Sequence, residues 1–474
     1  MIKMKKRLYT IALLSASIFA LNISCSDDFV EREFYQNVEQ APLKNVQEMH
    51  AFIRGAYVSM RSSTYYGADF LAYGEVRSDV MFSNLAGGYY TTIQNYTMLS
   101  TDGYASGTWN QIYTVVAKAN IAINSDVESF TGNDLDKSRA KYLQGEAYAI
   151  RAQSFFDLLR LYGQKYTGGN LGVVLPLKYD PKAQMPRATI AETEAQIEAD
   201  FAKALELMLA NSSPVGETSK TELSRNAVKA LMTRYYLYKG DYAKVKALTD
   251  DLIGEYPIMS AALFQDSFSS NMNGSAPNSI FELTVGQEGS LGTGSYAYRL
   301  QPNGYSNIQL KTGVKSSLYS ASDIRGTLVN ANNYVTGKYN NLTGINNIKV
   351  IRYEEVLLNA IEAEFNLGNT ATALRYYKEL LTNRLTPILN TDGTTKETVA
   401  AQVDKVTTIT LDDIKKERAR ELLAEGFRQW DLLRWGDTSF KPVGKSLDLL
   451  AFPIPRAEIN ISDTKIVPNP GYEN

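Results

Sequence analysis

Tyrosine is the residue type in this chain that is best suited to binding chemistry. The 474 residues include 31 tyrosines, against 17 phenylalanines and 3 tryptophans. A phenol ring offers a flat apolar face with a hydroxyl group at its edge. A sugar needs both, since its ring stacks on the face and its hydroxyl groups bond to a polar rim. Packing in a helical core is the alternative role for each of these rings.

Two polar stretches, residues 61–105 and 265–346, carry many of these tyrosines among Gly, Asn, Ser and Thr. Long loops of this kind in a folded domain usually have a function. We therefore predict that the two stretches are ligand-binding loops, with Asp69, Asn84 and Arg299 as polar contacts beside the rings. The candidate contacts are Tyr65, Tyr66, Asp69, Asn84, Tyr89, Tyr90 and Tyr96 in the first stretch and Tyr296, Tyr298, Arg299 and Tyr305 in the second.

The composition gives little support to catalysis. The chain has one cysteine and one histidine, Cys25 and His50, and its formal net charge is −2. These counts leave no His/Cys metal set and no HExxH motif, and no GxxxxGK[ST] loop is present to bind a nucleotide. The balance of charge argues against nucleic acid as a partner. We therefore predict no catalytic residue, no cofactor and no metal site.

The N-terminus has the pattern of a secretory signal peptide. A basic start, residues 3–7, is followed by the apolar run "IALLSASIFALNI" at 11–23. That run is shorter than the roughly 20 residues that a membrane-spanning helix needs. Cleavage after residue 24 would expose the Cys25 thiol for acylation, and lipid chains there would anchor the protein to a membrane. We predict a signal peptide at 1–24, a lipid anchor at Cys25 and an acidic leader at 25–40; a buried cysteine is the alternative.

Amphipathic helices are expected to position the loops. The segment "KSRAKYLQGEAYAIRAQSFFDLLRLYG" has two apolar stripes at steps of three and four, which indicates a helix packed on two sides. "YLYKGDYAKVKALTDDLI" (236–253) aligns with "EFNLGNTATALRYYKELL" (364–381), and each predicts a helix, a tight glycine turn and a second helix. Such units are typical of tetratricopeptide repeats.

The predicted fold is mainly α, a tetratricopeptide-like helix-pair scaffold with long loop-rich insertions and few short strands. The scaffold is expected over about 106–254 and 350–436, within a single domain at 41–474.

The segment "LDDIKKERARELLAEGFRQWDLLRWGD" (411–437) predicts one amphipathic helix that begins with a capping box at Thr410 and Asp413. Oppositely charged residues three apart can pair along such a helix, and periodicity alone favours a solvated charged face. The expected pairs are Glu417/Arg420, Arg418/Glu421, Glu425/Arg428, Arg428/Asp431 and Asp431/Arg434.

The order of residues in this segment, E-R-x-R-E-L-x-x-E-G-x-R-x-x-D-L-x-R-W-G, resembles the signature of the SusD/RagB family. It departs from that signature at Phe427, where the family commonly has histidine. Further pieces resemble the family in the same order along the chain: "SCSDDF", "GTWNQIYTVVAKAN", "GEAYAIRAQSFFDLLRLYG", "VIRYEEVLLNAIEAE" and "FPIPRAEINI…NPGY".

The resemblance implies a surface glycan-binding lipoprotein that is not an enzyme. Such a protein would have four tetratricopeptide-like helix pairs on one face and a loop-rich ligand site. It would sit at the outer membrane, facing outward, and deliver an oligosaccharide to a SusC-like TonB-dependent transporter. Two alternatives stay open: a secreted glycoside hydrolase, which would need two carboxylates in a cleft, and a peptide-binding helical-repeat scaffold.

Overall fold

The computed structural model describes residues 41–180, 182–209, 211–461 and 466–472. The predicted signal peptide, the anchor at Cys25 and the acidic leader lie outside the described residues. Residues Leu43–Asn474 form a compact unit of their own. Its largest hydrophobic core extends from Val46 to Ile466.

Helices provide most of the regular structure of this unit. The first half of the chain contains α1 (Val46–Met60), α2 (Asp69–Val76), α3 (Thr91–Gln94), α4 (Gly103–Ile123), α5 (Asp134–Tyr162), α6 (Ile190–Leu207), α7 (Arg225–Lys239) and α8 (Tyr242–Asp250). The second half contains α9 (Tyr296–Leu300), α10 (Val314–Leu318), α11 (Tyr353–Asn366), α12 (Thr370–Thr382), α13 (Val399–Asp404), α14 (Leu411–Glu421), α15 (Arg428–Arg434) and α16 (Arg456–Asn460).

The strands are short and pair in antiparallel ribbons of two. They are β1 (Met81–Ser83), β2 (Ser279–Leu283), β3 (Ile308–Leu310), β4 (Ile348–Arg352), β5 (Ile388–Leu389) and β6 (Thr395–Glu397). Strand β1 pairs with β3, β2 with β4, and β5 with β6. In the first ribbon Phe82 lies opposite Gln309. The mainly α fold with few short strands is confirmed.

Helix α5 shows why the scaffold packs in layers. Its first turn is closed by a capping box between Asn133 and Asp136. Both predicted apolar stripes are buried, and the helix packs against α4 and α6. A Cβ atom on Gly145 would lie 2.5 Å from Met208 Cγ and 2.9 Å from Ala204 O. Glycine at this position therefore lets the end of α6 approach closely.

The repeated motif forms two helix pairs, as its sequence predicts. Helix α7 pairs with α8, α11 pairs with α12, and α8 also packs against α11. Gly240 and Gly368 connect the members of each pair with φ of 74° and 84°, a backbone conformation that only glycine adopts at little cost.

The prediction of one solvated helix over 411–437 is wrong. Helix α14 begins at the expected Thr410–Asp413 capping box but ends at Glu421, and α15 begins only at Arg428. Between them Ala424 and Gly426 have φ of 60° and 82°. Two of the five expected charge pairs form, Glu417–Arg420 at 3.1 Å and Asp431–Arg434 at 2.8 Å.

Several other charged residues of this segment bind distant parts of the chain, although Arg418 pairs with Asp431 within the segment at 2.9 Å. Glu421 pairs with Arg325, Arg352 and Arg384 at 2.8–2.9 Å, and all four side chains are buried. Arg428 reaches Asp79 at 2.6 Å. Charges are stable in an interior only when they are paired and hydrogen-bonded. Helical spacing could not show these long-range partners.

Within the described ranges, no helix combines the length and apolar character needed to cross a bilayer.

Candidate functional site

The two predicted loop regions meet beside the ribbon of β1 and β3. The backbone N–H of Asn84 donates to Asn307 O at 2.8 Å. The Asn84 side chain donates to Ser306 O at 2.6 Å and to Gln309 Oε1 at 2.9 Å. Asn84, a predicted ligand contact, therefore joins the first loop to the second. This bonding fixes the position of the aromatic residues on either side.

A tight turn after β1 presents Tyr89. The hydroxyl group of Ser83 donates to Tyr89 O at 2.7 Å, and Ala86 N–H donates to Asn84 Oδ1 at 3.0 Å. Much of the turn has a left-handed backbone, which local hydrogen bonds must hold in place. The residues with positive φ are Leu85, Gly87, Gly88 and Tyr90.

The second loop presents Tyr298 and Tyr305 together. Tyr305 N–H donates to Tyr298 O at 2.7 Å, and Asn307 N–H donates to Arg299 O at 2.9 Å. Gly304 lies inside this closed loop, where a Cβ atom would lie 2.5 Å from Tyr298 O. Only glycine fits at this position, so the backbone itself sets the distance between the two rings.

Tyr89, Tyr298, Arg299 and Tyr305 form what we call the aromatic cluster. The Arg299 guanidinium carbon lies 3.8 Å from the centre of the Tyr89 ring and 5.1 Å from that of Tyr305. The Tyr305 ring is 5.0 Å from Tyr89 and 4.9 Å from Tyr298. The three rings are half-buried and Arg299 is buried. A cation against a tyrosine face attracts the ring electrostatically and restrains it.

A carboxyl group and a further tyrosine lie beneath the aromatic cluster. The Tyr90 hydroxyl group donates to Asp69 Oδ1 at 2.8 Å. Burial raises the pKa of Asp69 to about 6, against the lowering effects of the Tyr90 hydrogen bond and the Arg299 charge. Nε and Nη1 of Arg299 have no hydrogen-bond partner among the described residues. Asp69, which was predicted to contact the ligand directly, is instead buried and bonded to Tyr90.

The structure is at odds with four of the predicted tyrosine contacts. Tyr65, Tyr66, Tyr90 and Tyr296 are all at most 2 % exposed, so they fill the core. The hydroxyl groups of Tyr65 and Tyr66 donate to Asp157 at 2.5 and 2.8 Å. Part of the predicted first loop forms helix α2 instead. Local sequence could not indicate that Asp157 is the buried acceptor for Tyr65 and Tyr66. Tyr96 is also buried and lines a different cavity.

Sequence reasoning missed two polar residues at the same place. Asn307 is fully buried, and neither its amide nitrogen nor its amide oxygen has a hydrogen-bond partner in the part of the chain that the structure describes. Gln309 is half-buried on β3 and accepts from Asn84. Side chains alternate between the two faces of a strand, so recognition of β3 would have placed Gln309 on the face opposite to Ile308 and Leu310. No signal in the sequence marks Asn307.

The described residues hold no group of three or more His, Cys, Asp or Glu side chains that could bind a metal ion.

Two family models match this chain. One, described as "Starch-binding associating with outer membrane", matches residues 29–237, and the other, described as "SusD family", matches residues 281–448. The chain belongs to the SusD/RagB family. The family expected from the signature is thereby confirmed.

Individual SusD/RagB proteins are similar to this member over much of its length. SusD-like protein P2 of Formosa agariphila is 25% identical over 298 residues, which cover 61% of this chain but 55% of that relative. A SusD superfamily protein from Bacteroides thetaiotaomicron has 25% identity and a TM-score of 0.76, with 90% of this chain and 100% of that chain covered. Surface glycan-binding protein A from the same species, in complex with laminarihexaose, has 18% identity and a TM-score of 0.68, with 89% of this chain and 99% of that chain covered.

The signature segment of this SusD/RagB protein packs against helix α2, which carries Asp69. Gly426 N–H donates to Glu75 Oε1 at 2.7 Å, and a Cβ atom on Gly74 would lie 2.1 Å from Gly426 O. The signature thus holds α2, whose first residue is Asp69. At the position of departure, the Phe427 ring lies 5.0 Å from the Arg234 guanidinium carbon.

Proposed function

We propose that this protein binds a glycan at the aromatic cluster and delivers it to a TonB-dependent outer-membrane transporter. One observation carries the proposal. Two distant loops bring three half-buried tyrosine rings together at the edge of a helical scaffold, and one buried guanidinium lies against two of these rings, Tyr89 and Tyr305. Rings held in this way can stack on a sugar without first being ordered, which lowers the entropic cost of binding.

The strength of such a site suits capture and release. An aromatic contact contributes about 0.5–1.5 kcal/mol beyond the burial of area. Two or three contacts with a few hydrogen bonds therefore give a dissociation constant on the order of micromolar to millimolar. A protein that must hand over its ligand benefits from an affinity in this range.

Polar groups near the rings support a hydroxyl-rich ligand. Buried amide groups without a partner are rare in folded proteins, and Asn307 has both amide atoms unpaired beside the turn that carries Tyr89. A bound water or a ligand hydroxyl group would satisfy that amide. The relative whose structure contains laminarihexaose shares the fold, which makes a β-glucan a reasonable first ligand to try.

We propose binding without hydrolysis. Glycoside hydrolysis commonly needs two carboxyl groups that flank the scissile bond. Asp69, the carboxyl group beneath the aromatic cluster, is at most 9 % exposed and is engaged by Tyr90. It therefore does not face a bound sugar.

The anchor and the partner complete the proposal. Lipid at Cys25 would hold the protein at the outer membrane, facing outward, and the helical face would dock on a SusC-like transporter. Full-length tagged protein, purified from the membranes of its native cells, should co-purify with a TonB-dependent transporter, and Cys25→Ser should release the protein from the membrane. If the full-length protein purifies without any such transporter, the proposed partner is contradicted.

Ligand binding is tested with the chain that lacks residues 1–25, since this form keeps the compact unit Leu43–Asn474. A glycan array identifies the ligand, and calorimetry then compares Tyr305→Ala with Tyr179→Ala. Tyr179 is a matched control because it is an exposed tyrosine outside the cluster. We expect Tyr305→Ala to weaken binding by about tenfold, a loss of roughly 1.4 kcal/mol. Equal affinity in both variants, or release of new reducing ends, would contradict the proposal.

A further inference from the structure

A cavity of about 430 Å³, lined by none of the residues of the aromatic cluster, has Phe82 in its wall. Its size lies within the usual range for small-molecule sites. Its walls come from the end of α2, from β1, from the last residue of α3 and the two residues after it, from the two residues after β3 and from the loop near 440. We call it the cationic pocket, and the side chains that define its chemistry are Arg77, Phe82, Gln94, Tyr96, Lys311 and Phe440.

The charges of the cationic pocket have one sign. Arg77 and Lys311 line it, and no Asp or Glu is among its lining residues. Lys311 Nζ donates to Ser78 O at 2.8 Å, which leaves two of its three N–H donors for another acceptor. Asp79, the nearby acid, is held by Arg428 at 2.6 Å. Burial lowers the pKa of Lys311, and the charge of Asp79 opposes this effect only in part.

Arg77 is fixed beneath the same pocket. Its guanidinium carbon lies 3.9 Å from the centre of the Tyr96 ring, and one nitrogen donates to Leu449 O at 2.5 Å. Its Nε and the Tyr96 hydroxyl group are buried and have no hydrogen-bond partner in the described parts of the chain. Both residues are at most 5 % exposed, so the cation is already desolvated. An uncompensated charge in such surroundings favours an anion at the pocket.

The remaining walls suit a sugar ring. Phe82 and Phe440 are half-buried, and Tyr96 is held in a left-handed conformation with φ of 54°. Gln94 contributes an amide group, part of which accepts from the backbone of Ser83. Flat apolar faces beside amide and cationic donors are the features that a ring with an acidic substituent requires.

The cationic pocket continues the surface of the proposed glycan site. Side chains two positions apart on a strand point to the same face, at a separation of roughly 7 Å. Phe82 and Asn84 have this spacing, and the Asn84 side chain bonds to Gln309, the residue opposite Phe82. Asn84 also bonds the loop that carries Tyr305. An oligosaccharide on the aromatic cluster could therefore extend past Asn84 to the pocket.

We propose that the cationic pocket is a subsite for an acidic sugar residue, whose anionic group binds Lys311 above Arg77 while its ring packs between Phe82 and Phe440. The anionic group is a carboxylate, as in a uronate, or a sulfate ester. This inference rests on the proposed function and names the class of glycan, in which at least one residue is charged.

Calorimetry on the chain lacking residues 1–25 tests the subsite with two matched pairs of ligands. One pair is tetragalacturonate and its fully methyl-esterified form, and the other is a sulfated galactan tetrasaccharide and its desulfated form. We expect at least one charged form to bind about tenfold more tightly than its neutral partner. Lys311→Gln should remove that preference and leave the neutral form unchanged, while Lys311→Arg should keep it. Lys396→Gln, at an exposed lysine outside the pocket, is the matched control.

The outcomes separate this inference from the proposed function. Preference for the uronate or for the sulfated form identifies the anionic group. Binding of neutral and charged forms with equal affinity overturns the subsite alone. Absence of binding to every glycan on the array, or an unchanged affinity of Tyr305→Ala for a glycan that does bind, overturns the proposed function as well. If Lys311→Gln does not fold, higher salt should weaken only the charged ligand on the unaltered chain, and identical salt dependence of both ligands overturns the subsite.

Discussion

The guanidinium carbon of Arg299 lies 3.8 Å from the centre of the Tyr89 ring, although the two residues come from different loops. Arg299 is 7 % exposed, and two of its nitrogens have no hydrogen-bond partner among the described residues. The ring face and the charge of Asp69 therefore compensate this cation, and the cation in turn restrains the ring.

This relationship predicts that Arg299→Lys weakens glycan binding. Lysine keeps the charge but loses the planar group that lies against the ring. We expect a loss of about 3- to 10-fold in affinity, roughly 1 kcal/mol, measured by calorimetry. Arg375→Lys is the matched control, since Arg375 lies 4.3 Å from the Tyr376 ring on the exposed side of α12. Equal loss in both variants would contradict a specific role for Arg299.

A second prediction concerns the contact between α2 and the signature segment. A Cβ atom on Gly74 would lie 2.1 Å from Gly426 O, and a backbone atom cannot move aside cheaply. We expect Gly74→Ala to lower the free energy of unfolding by about 1–3 kcal/mol or more. Gly55→Ala is the control, because its Cβ atom would meet nothing within 4 Å in the middle of α1.

Urea denaturation measures both glycine variants. Gly55→Ala should raise the free energy of unfolding by about 0.5–1 kcal/mol, because alanine restricts the unfolded chain and favours a helix. A Gly74→Ala protein as stable as the unaltered chain would show that α2 can separate from the signature without cost.

The scaffold was predictable because its signals are local. Two apolar stripes on α5, the glycine turns at Gly240 and Gly368 and the capping box at Thr410 each lie within a few turns of helix. The charged signature was not predictable in the same way. Its acids pair with arginines far along the chain and form a buried network. The periodic pattern of charges favours a solvated face because it contains no information on these distant partners.

The candidate site was predictable only in part, for a related reason. Composition indicates that tyrosines in two loops could bind a ligand, and Tyr89, Tyr298 and Tyr305 do meet. Composition cannot distinguish these three tyrosines from Tyr65 and Tyr66, which also lie in a predicted loop but bond to buried Asp157. Exposure depends on tertiary partners, and a tyrosine hydroxyl group is satisfied equally well by a core carboxylate or by solvent.

A third prediction concerns the buried network. Burial alone would raise the pKa of the Glu421 carboxyl group. The guanidinium groups of Arg384, Arg352 and Arg325 nevertheless hold this pKa well below its ordinary value. Glu421→Gln should lower the free energy of unfolding at pH 7 by about 3–5 kcal/mol, since it leaves buried cations unpaired. Glu206→Gln, at an exposed pair with Lys203, should change it by less than about 1 kcal/mol.

The stabilisation by Glu421 should also depend on pH. A group whose pKa is lowered on folding stabilises the protein above its unfolded pKa, and this contribution is lost as the pH falls. The difference in unfolding free energy between the unaltered chain and Glu421→Gln should therefore decrease on acidification below about pH 4.5. A difference that does not change with pH would contradict the ionised network.

The last prediction uses the opposite shift at Asp69. Burial raises the pKa of this carboxyl group from 3.8 to about 6. The folded state then binds the proton more tightly than the unfolded state, so the contribution of Asp69 to stability is greatest below pH 3.8 and is lost as the pH rises through 6.

Asp69→Asn removes this titration and keeps an oxygen that can accept from Tyr90. The unfolding free energy of Asp69→Asn, relative to the unaltered chain, should therefore rise by up to about 3 kcal/mol between pH 4 and pH 7. Asp392→Asn serves as the control, because Asp392 is exposed and its pKa is lowered by hydrogen bonds from Thr394; its relative stability should not rise over the same range. Urea denaturation at several pH values gives both curves, and parallel curves for the Asp69 variant and the unaltered chain would show that Asp69 is not the buried, proton-binding group beneath Arg299.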